Sequence, residues 1–176
     1  MEEMNFYFDQ VNINLWLNAL AIVALLIVSA FFSGSETALT GASKAILRRM
    51  TDKGSRGANK ALELKEQNEK LIGSLLLGNN LINILAAALA TNFLTQYYHD
   101  GGVAIATVIM TLLILIFSEV LPKTYAITNP ETAASKIAYV VNFFVIVFAP
   151  IVTAIRTIVR VILWTVGIKI DPNQRV

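Results

Sequence analysis

The chain has 176 residues, 56% hydrophobic and 15% charged, with a formal net charge of +2. An ordinary soluble domain carries about 25% charged residues, so the composition points to a membrane protein. The absence of cysteine excludes disulfides, thiolate metal centres and thiol catalysis, and the lone histidine, His99, cannot build a zinc or nickel site within one chain.

Residues 1–14 hold Glu2, Glu3 and Asp9 but no Lys or Arg, and residues 15–32 are apolar apart from Asn18 and Ser29. A secretory signal peptide would place a basic stretch before a shorter core. The acidic start therefore reads as an extracellular segment leading into a retained first span over about residues 15–43. Inside it, Ser33-Gly34-Ser35-Glu36-Thr37 brings hydroxyls and a carboxylate to membrane depth. Gly34 between two serines marks a weak point of the helix. Small residues also favour close helix packing in lipid, which is the plainer reading of the serines.

Residues 44–70 form a polar loop with eight of the fourteen basic residues of the chain. Gly54-Ser55-Arg56-Gly57 is a turn signal, flanked by expected amphipathic helices over about residues 45–50 and 58–67. Glu63, Glu66 and Glu69 interleave with the lysines on a solvated face. The second span covers about residues 71–96 and contains Asn79, Asn80 and Asn83, with Ser74 and Gly78 nearby. At about 100° per residue, Asn79 and Asn83 differ by about 40° and Asn80 lies about 60° from Asn83. The three are expected on one stripe, as ligands or as glue between helices. Residues 95–102 read as a short loop with His99 as a plain loop histidine and Tyr97 and Tyr98 in an interfacial belt.

The third span, about residues 103–127, begins with a charge-free run over 103–117 and continues into Ser118-Glu119-Val120-Leu121-Pro122-Lys123. An ionisable residue in a span is a functional-site hypothesis. Pro122 removes a backbone donor and disrupts the bond to the Ser118 carbonyl, and broken backbone in lipid needs cover from protein or water. The bland alternative places Glu119 among headgroups, paired with Lys123, with Pro122 ending the helix. Residues 129–168 read as juxtamembrane helices. An apolar stretch over 137–149 ended by Pro150 is re-entrant or shallow, and residues 151–168, with Arg156 and Arg160, form an interfacial belt. The alternative is one kinked fourth span over 137–158. Residues 169–176 resemble the start of a linker cut short.

All fourteen basic residues lie in residues 44–70 or from Lys123 onward. The positive-inside rule puts both regions in the cytoplasm, with the amino terminus outside and three spans. The chain is then an all-α membrane protein with three transmembrane helices containing broken segments, cytoplasmic amphipathic helices and a juxtamembrane belt helix. In this topology Ser33–Glu36, Asn79–Asn83 and Glu119–Pro122 fall at one depth. Hydroxyl, amide, carboxylate and freed carbonyls form an all-oxygen set suited to magnesium, calcium or sodium.

The stretches Phe31-Phe32-Ser33-Gly34-Ser35-Glu36-Thr37-Ala38-Leu39, Gly78-Asn79-Asn80-Leu81-Ile82-Asn83 and Glu119-Val120-Leu121-Pro122-Lys123 resemble the three signatures of the CNNM/CorC transmembrane domain. The resemblance covers about residues 15–149, in the family's order and spacing. It implies a homodimeric magnesium transporter of the plasma (inner) membrane, usually an exporter and coupled to sodium in some members. It implies cation ligands Ser33, Asn83 and Glu119, with Asn80 as the alternative amide and a backbone carbonyl near Tyr125. Ser35, Glu36, Asn79 and Ser118 are candidates for the surrounding shell, and in a transporter working by alternating access the breaks at Gly34 and Pro122 would act as hinges. Family members usually continue into cytosolic nucleotide-binding regulatory domains, so the expectation is an isolated membrane domain.

Two other readings stand beside transport of magnesium. One is a dimeric membrane anchor for cytosolic domains, with the polar stripe as interhelical glue. The other is transport of sodium alone or of a polyamine, with Glu36 and Glu119 facing the amine. An enzyme is not expected, because no nucleophile and base can be paired. Nucleic-acid binding has no support, since topology accounts for the basic residues.

Overall fold

Long apolar runs in lipid must satisfy their own backbone, which favours helices, and the regular structure among the described residues is all helical. The structure is a computed structural model that describes the backbone of residues 2–98 and 100–165 and the side chains of residues 15–95 and 102–165. The loop expected over residues 95–102 is helical on both sides of residue 99, one helix reaching Tyr98 and the next starting at Asp100, while His99 itself and the linker reading of residues 169–176 lie outside the described residues. The helices are α1 (Glu2–Gly41), α2 (Lys44–Asp52), α3 (Arg56–Glu66), α4 (Asn68–Tyr98), α5 (Asp100–Leu113), a π-helical segment (Ile114–Val120), α6 (Leu121–Thr128) and α7 (Pro130–Thr165). Four stretches are long and apolar enough to cross a membrane: Leu15–Gly41, Asn68–Thr95, Gly102–Thr128 and Pro130–Thr165.

Two expected interruptions are absent. α1 runs unbroken through Gly34. A Cβ there would lie 3.4 Å from the Pro122 side chain, so the glycine serves close approach of two helices instead of a break. Pro150 does not end a helix either; it sits inside the 36-residue α7. Val141, Val145 and Val152 are buried on one face across the proline, and that packing keeps the helix going despite a missing hydrogen bond. The separate shallow and interfacial helices expected over residues 137–168 are thus one helix as far as Thr165, the last described residue.

The polar loop folds by local chemistry. Gly54 takes φ +92°, a left-handed turn that suits glycine. The Ser55 hydroxyl then accepts the Ala58 N–H at 3.3 Å and caps α3. The Ser43 N–H at the start of α2 donates to Glu131 Oε1 at 3.0 Å, fastening α2 to α7. Lys65 Nζ donates to the Leu39 and Thr40 carbonyls and closes the end of α1. Burial, then repulsion from Lys44, holds Lys65 below the ordinary lysine value, while Glu131 acts in the opposite sense.

The main apolar core sits at this end of the molecule. Leu39, Leu47, Leu64, Leu71 and Val141, from five helices, share it. Phe32, Phe144 and Phe148 pack against one another within it, with 4.9 Å between the Phe32 and Phe144 rings. A smaller cluster of Leu26, Ala86, Ala90 and Met110 joins α1, α4 and α5 further along the spans. α7 reaches the loop side at two distant points. Pro130 lies against Gly41, and Arg156 pairs with Glu69 at 3.1 Å.

Gly57 lets α3 pack close on α7, since a Cβ there would collide with the Ser135 carbonyl. Alanine gains about 1 kcal/mol of helix propensity but forces a rigid backbone apart, at about 1–3 kcal/mol. Gly57→Ala should therefore lower the apparent unfolding temperature in detergent, read by tryptophan fluorescence. An unchanged or higher midpoint would mean the α3–α7 contact is not that close.

Candidate cation site

The site residues come from three helices that meet midway along α1. α4 runs antiparallel to α1: Ser29 faces Asn79 and Asn83, and Phe32 faces Gly78. The π segment and α6 run parallel to α1: Ser118 reaches Leu26, and Gly34 meets Pro122. Residues 26–34 of α1 thus lie beside 78–83 of α4 and 118–122 of the third element.

Ser29 Oγ lies 2.8 Å from Asn79 Oδ1 and 2.5 Å from Asn83 Oδ1. A hydroxyl has one proton to donate, so two amide oxygens compete for a single donor. Ser118 is fully buried and donates to the Leu26 carbonyl at 3.1 Å. The hydroxyls of Ser33, Ser35 and Ser74 are buried with no hydrogen-bond partner. A serine in a helix can always turn its hydroxyl to the carbonyl four residues back, and these do not. Ser33 is one turn along α1 from Ser29, and Ser74 is five residues back from Asn79 on the antiparallel α4. Both displacements run toward the polar loop, so the unpartnered hydroxyls extend the oxygen-rich patch in one direction.

The third element is irregular where Ser118 and Glu119 sit. Within the π segment the Leu121 N–H bonds the Ile116 carbonyl, five residues back. Returning to the α pattern skips one carbonyl, and Pro122 lacks a donor for another. Free carbonyl oxygens therefore arise next to Glu119. Such wide turns in an α-helix are frequent at functional sites. Glu119 is half-buried and borders a groove of about 380 Å³ between α4 and α5, together with Ala87, Thr91, Thr107, Met110 and Thr111. The ion pairs among the described residues are Lys60–Glu63 and Arg156–Glu69, so Glu119 and Lys123 do not pair. Pro122 does not end the helix, because α6 continues through it to Thr128.

The other expected site residues are placed as follows. Asn79, expected around the site, is buried and bonded to Ser29, while Asn83 is half-buried. Asn80 is exposed beside Leu81 and Ile84. The three asparagines therefore do not share one buried face: the step of about 100° from Asn79 carries Asn80 past the edge of the contact with α1. Tyr125 has a 76% exposed side chain, and its carbonyl already accepts from the Thr128 hydroxyl at 2.7 Å. Glu36 is half-buried one turn from Ser33, and its carbonyl accepts from Thr40. Ser29 was readable only as a polar interruption of an apolar run. Its spacing of four from Ser33, which sets both on one helix face, was the available signal. No group of three acidic or histidine side chains gathers among the described residues, so a cation here would rest mainly on neutral oxygens and one carboxylate.

The model of the Cyclin M transmembrane N-terminal domain matches residues 20–176. The chain belongs to the CNNM family. Among relatives of this CNNM domain, the UPF0053 inner membrane protein YfjD of Escherichia coli K12 is 41% identical over 82% of the chain and 34% of its own length. The polyamine export protein of Haemophilus influenzae is 30% identical over 81% of the chain and 36% of its own length. The metal transporter cnnm-4 of Caenorhabditis elegans is 28% identical over 81% of the chain and 31% of its own length. The CNNM chain thus spans about a third of the length of these curated relatives. Its helices suit a multi-pass membrane protein, as does the inner-membrane description of YfjD.

Ser29→Ala should strand the buried Asn79 amide and lower stability by about 1–2 kcal/mol. Asn80→Ala, on the exposed side, should leave it unchanged. Thermal unfolding in detergent measures both, and equal effects would mean Ser29 does not tie α4 to α1.

Proposed function

We propose that this CNNM domain carries magnesium across the membrane through an all-oxygen site between α1, α4 and the π segment. The reading rests on one observation: buried hydroxyls and amides of α1 and α4 gather beside the stretch of the third helix that loses its regular hydrogen bonds and carries Glu119. Magnesium demands compact octahedral oxygen coordination and loses water reluctantly. Ser33, Asn83 and Glu119 are the proposed protein ligands, and the carbonyls freed beside Pro122 complete the set better than that of Tyr125. Ser29 and Asn79 hold Asn83 in place. Because the cargo is positive, Glu119 supplies the one full charge, and the neutral oxygens replace hydration without trapping the ion.

Efflux, coupling to sodium, a homodimer and cytosolic regulatory domains belong to the same proposal. So does a topology of three spans with the amino terminus outside and α7 as a belt. The belt is favoured by the two contacts of α7 with the loop side. Pro130 and Arg156 are about 39 Å apart along the helix, yet both touch loop-side ends of other helices. A helix crossing the bilayer would carry one of them to the far side. A polyamine is the second reading, favoured by the name of one relative and by carboxylates at both Glu36 and Glu119.

Calorimetric titration of the purified protein with magnesium, and separately with spermidine, tests this. Saturable magnesium binding in the wild type, lost in Glu119→Ala and weakened at least about tenfold in Ser33→Ala, is expected. Full magnesium binding in a folded Glu119→Ala protein would remove the carboxylate from the site. Spermidine binding without magnesium binding would favour the second reading, and binding of neither would favour a membrane anchor.

A further inference from the structure

A second cavity lies apart from the groove at Glu119. It lies on the polar-loop side, where the end of α1 and the starts of α2 and α4 meet α3 and α7, and it is an open cavity of about 990 Å³. Lys44, Lys65, Lys70 and Arg156 line it, with Glu66 and Glu69, which leaves two net positive charges. The carboxylates do not neutralise the cations. Arg156 Nη1 pairs with Glu69, but its Nη2 is buried with no partner. Lys44 and Lys70 are exposed and make no ion pair among the described residues. Lys65 spends its hydrogen bonds on the α1 carbonyls, and its lowered pKa reflects burial next to Lys44. Four cations from four helices are held around one space much larger than an ion.

We propose that this cavity binds the phosphate group of an anionic phospholipid headgroup. A guanidinium with a free N–H and flanking ammonium groups match phosphate oxygens, and basic pockets between helices on this side of a membrane suit such headgroups. The volume fits a whole headgroup, since small-molecule pockets span about 300–1,000 Å³. The lipid source is favoured by the surroundings. Ile72 forms part of the wall, and Ile151, Ile155, Ile158 and Val159 leave an exposed apolar strip on α7 beside Arg156, where acyl chains would lie. The headgroup would bridge α4 and α7 through Lys70 and Arg156.

Native mass spectrometry of the purified protein with an equal mixture of phosphatidylglycerol and phosphatidylcholine is the test, alongside thermal shifts with inorganic phosphate. Preferential retention of one phosphatidylglycerol per chain is expected, falling about fivefold for each lysine removed in Lys44→Gln and Lys70→Gln. Those lysines have no protein partner to lose, so folding should survive, whereas Arg156→Gln strands Glu69 and serves only as a supporting variant. Stabilisation by inorganic phosphate without lipid preference would keep the phosphate site but overturn its lipid occupant. Absence of both effects, or a preference unchanged in the folded double lysine variant, overturns the proposal.

Discussion

A hydroxyl or amide buried among helices must find a partner there or leave its desolvation cost uncompensated. That constraint ties this molecule together at Ser29 and Ser118. Ser29 sits between two asparagines of α4, and Ser118 reaches a carbonyl of α1. α1 is thereby fastened on two sides by short polar contacts inside an otherwise apolar region. Ser33, Ser35 and Ser74 break the same rule. They sit instead at the close contacts of α1 and α4, where small side chains let helices approach.

Two prolines show how far context decides a residue's effect. Pro122 follows a segment already widened to i→i−5 pairing, and it packs against Gly34. Its missing donor adds to an existing irregularity beside a carboxylate. Pro150 lies on an exposed side of α7, with valines packed before and after it on the opposite face. There the lost hydrogen bond is a local defect in a helix held by its neighbours. Glycines do related work: Gly57 brings α3 onto the α7 backbone, and Gly78 makes room for the Phe32 ring.

The loop side is the most conventional part of the molecule. It has an apolar core, a capped helix, a glycine turn and ion pairs. α7 contributes to that core at one end and reaches the start of α4 at the other. α7, α3 and α4 meet there. The unneutralised basic cavity sits at that junction.

Composition and charge placement settled much by themselves. Long charge-free runs required helices, and helices stand at Leu15–Gly41, Asn68–Thr95 and Gly102–Thr128, where the first three spans are expected. The turn at Gly54 and the two loop helices were legible because their signals are local. So were the three motifs, since unusual polar residues in apolar runs stand out. The fate of individual side chains was not legible. Angular spacing alone put Asn80 with Asn79 and Asn83, but the width of the α1–α4 contact leaves it outside. Gly34 read as a break until the helix packed against it showed why a small residue is needed. Pro150 read as an end because the valine face that carries α7 across it exists only when α1, α3 and α4 are present. Sequence determines which groups are costly in an apolar setting; only the packing of distant helices decides which of those costs are met by a protein partner and which are not.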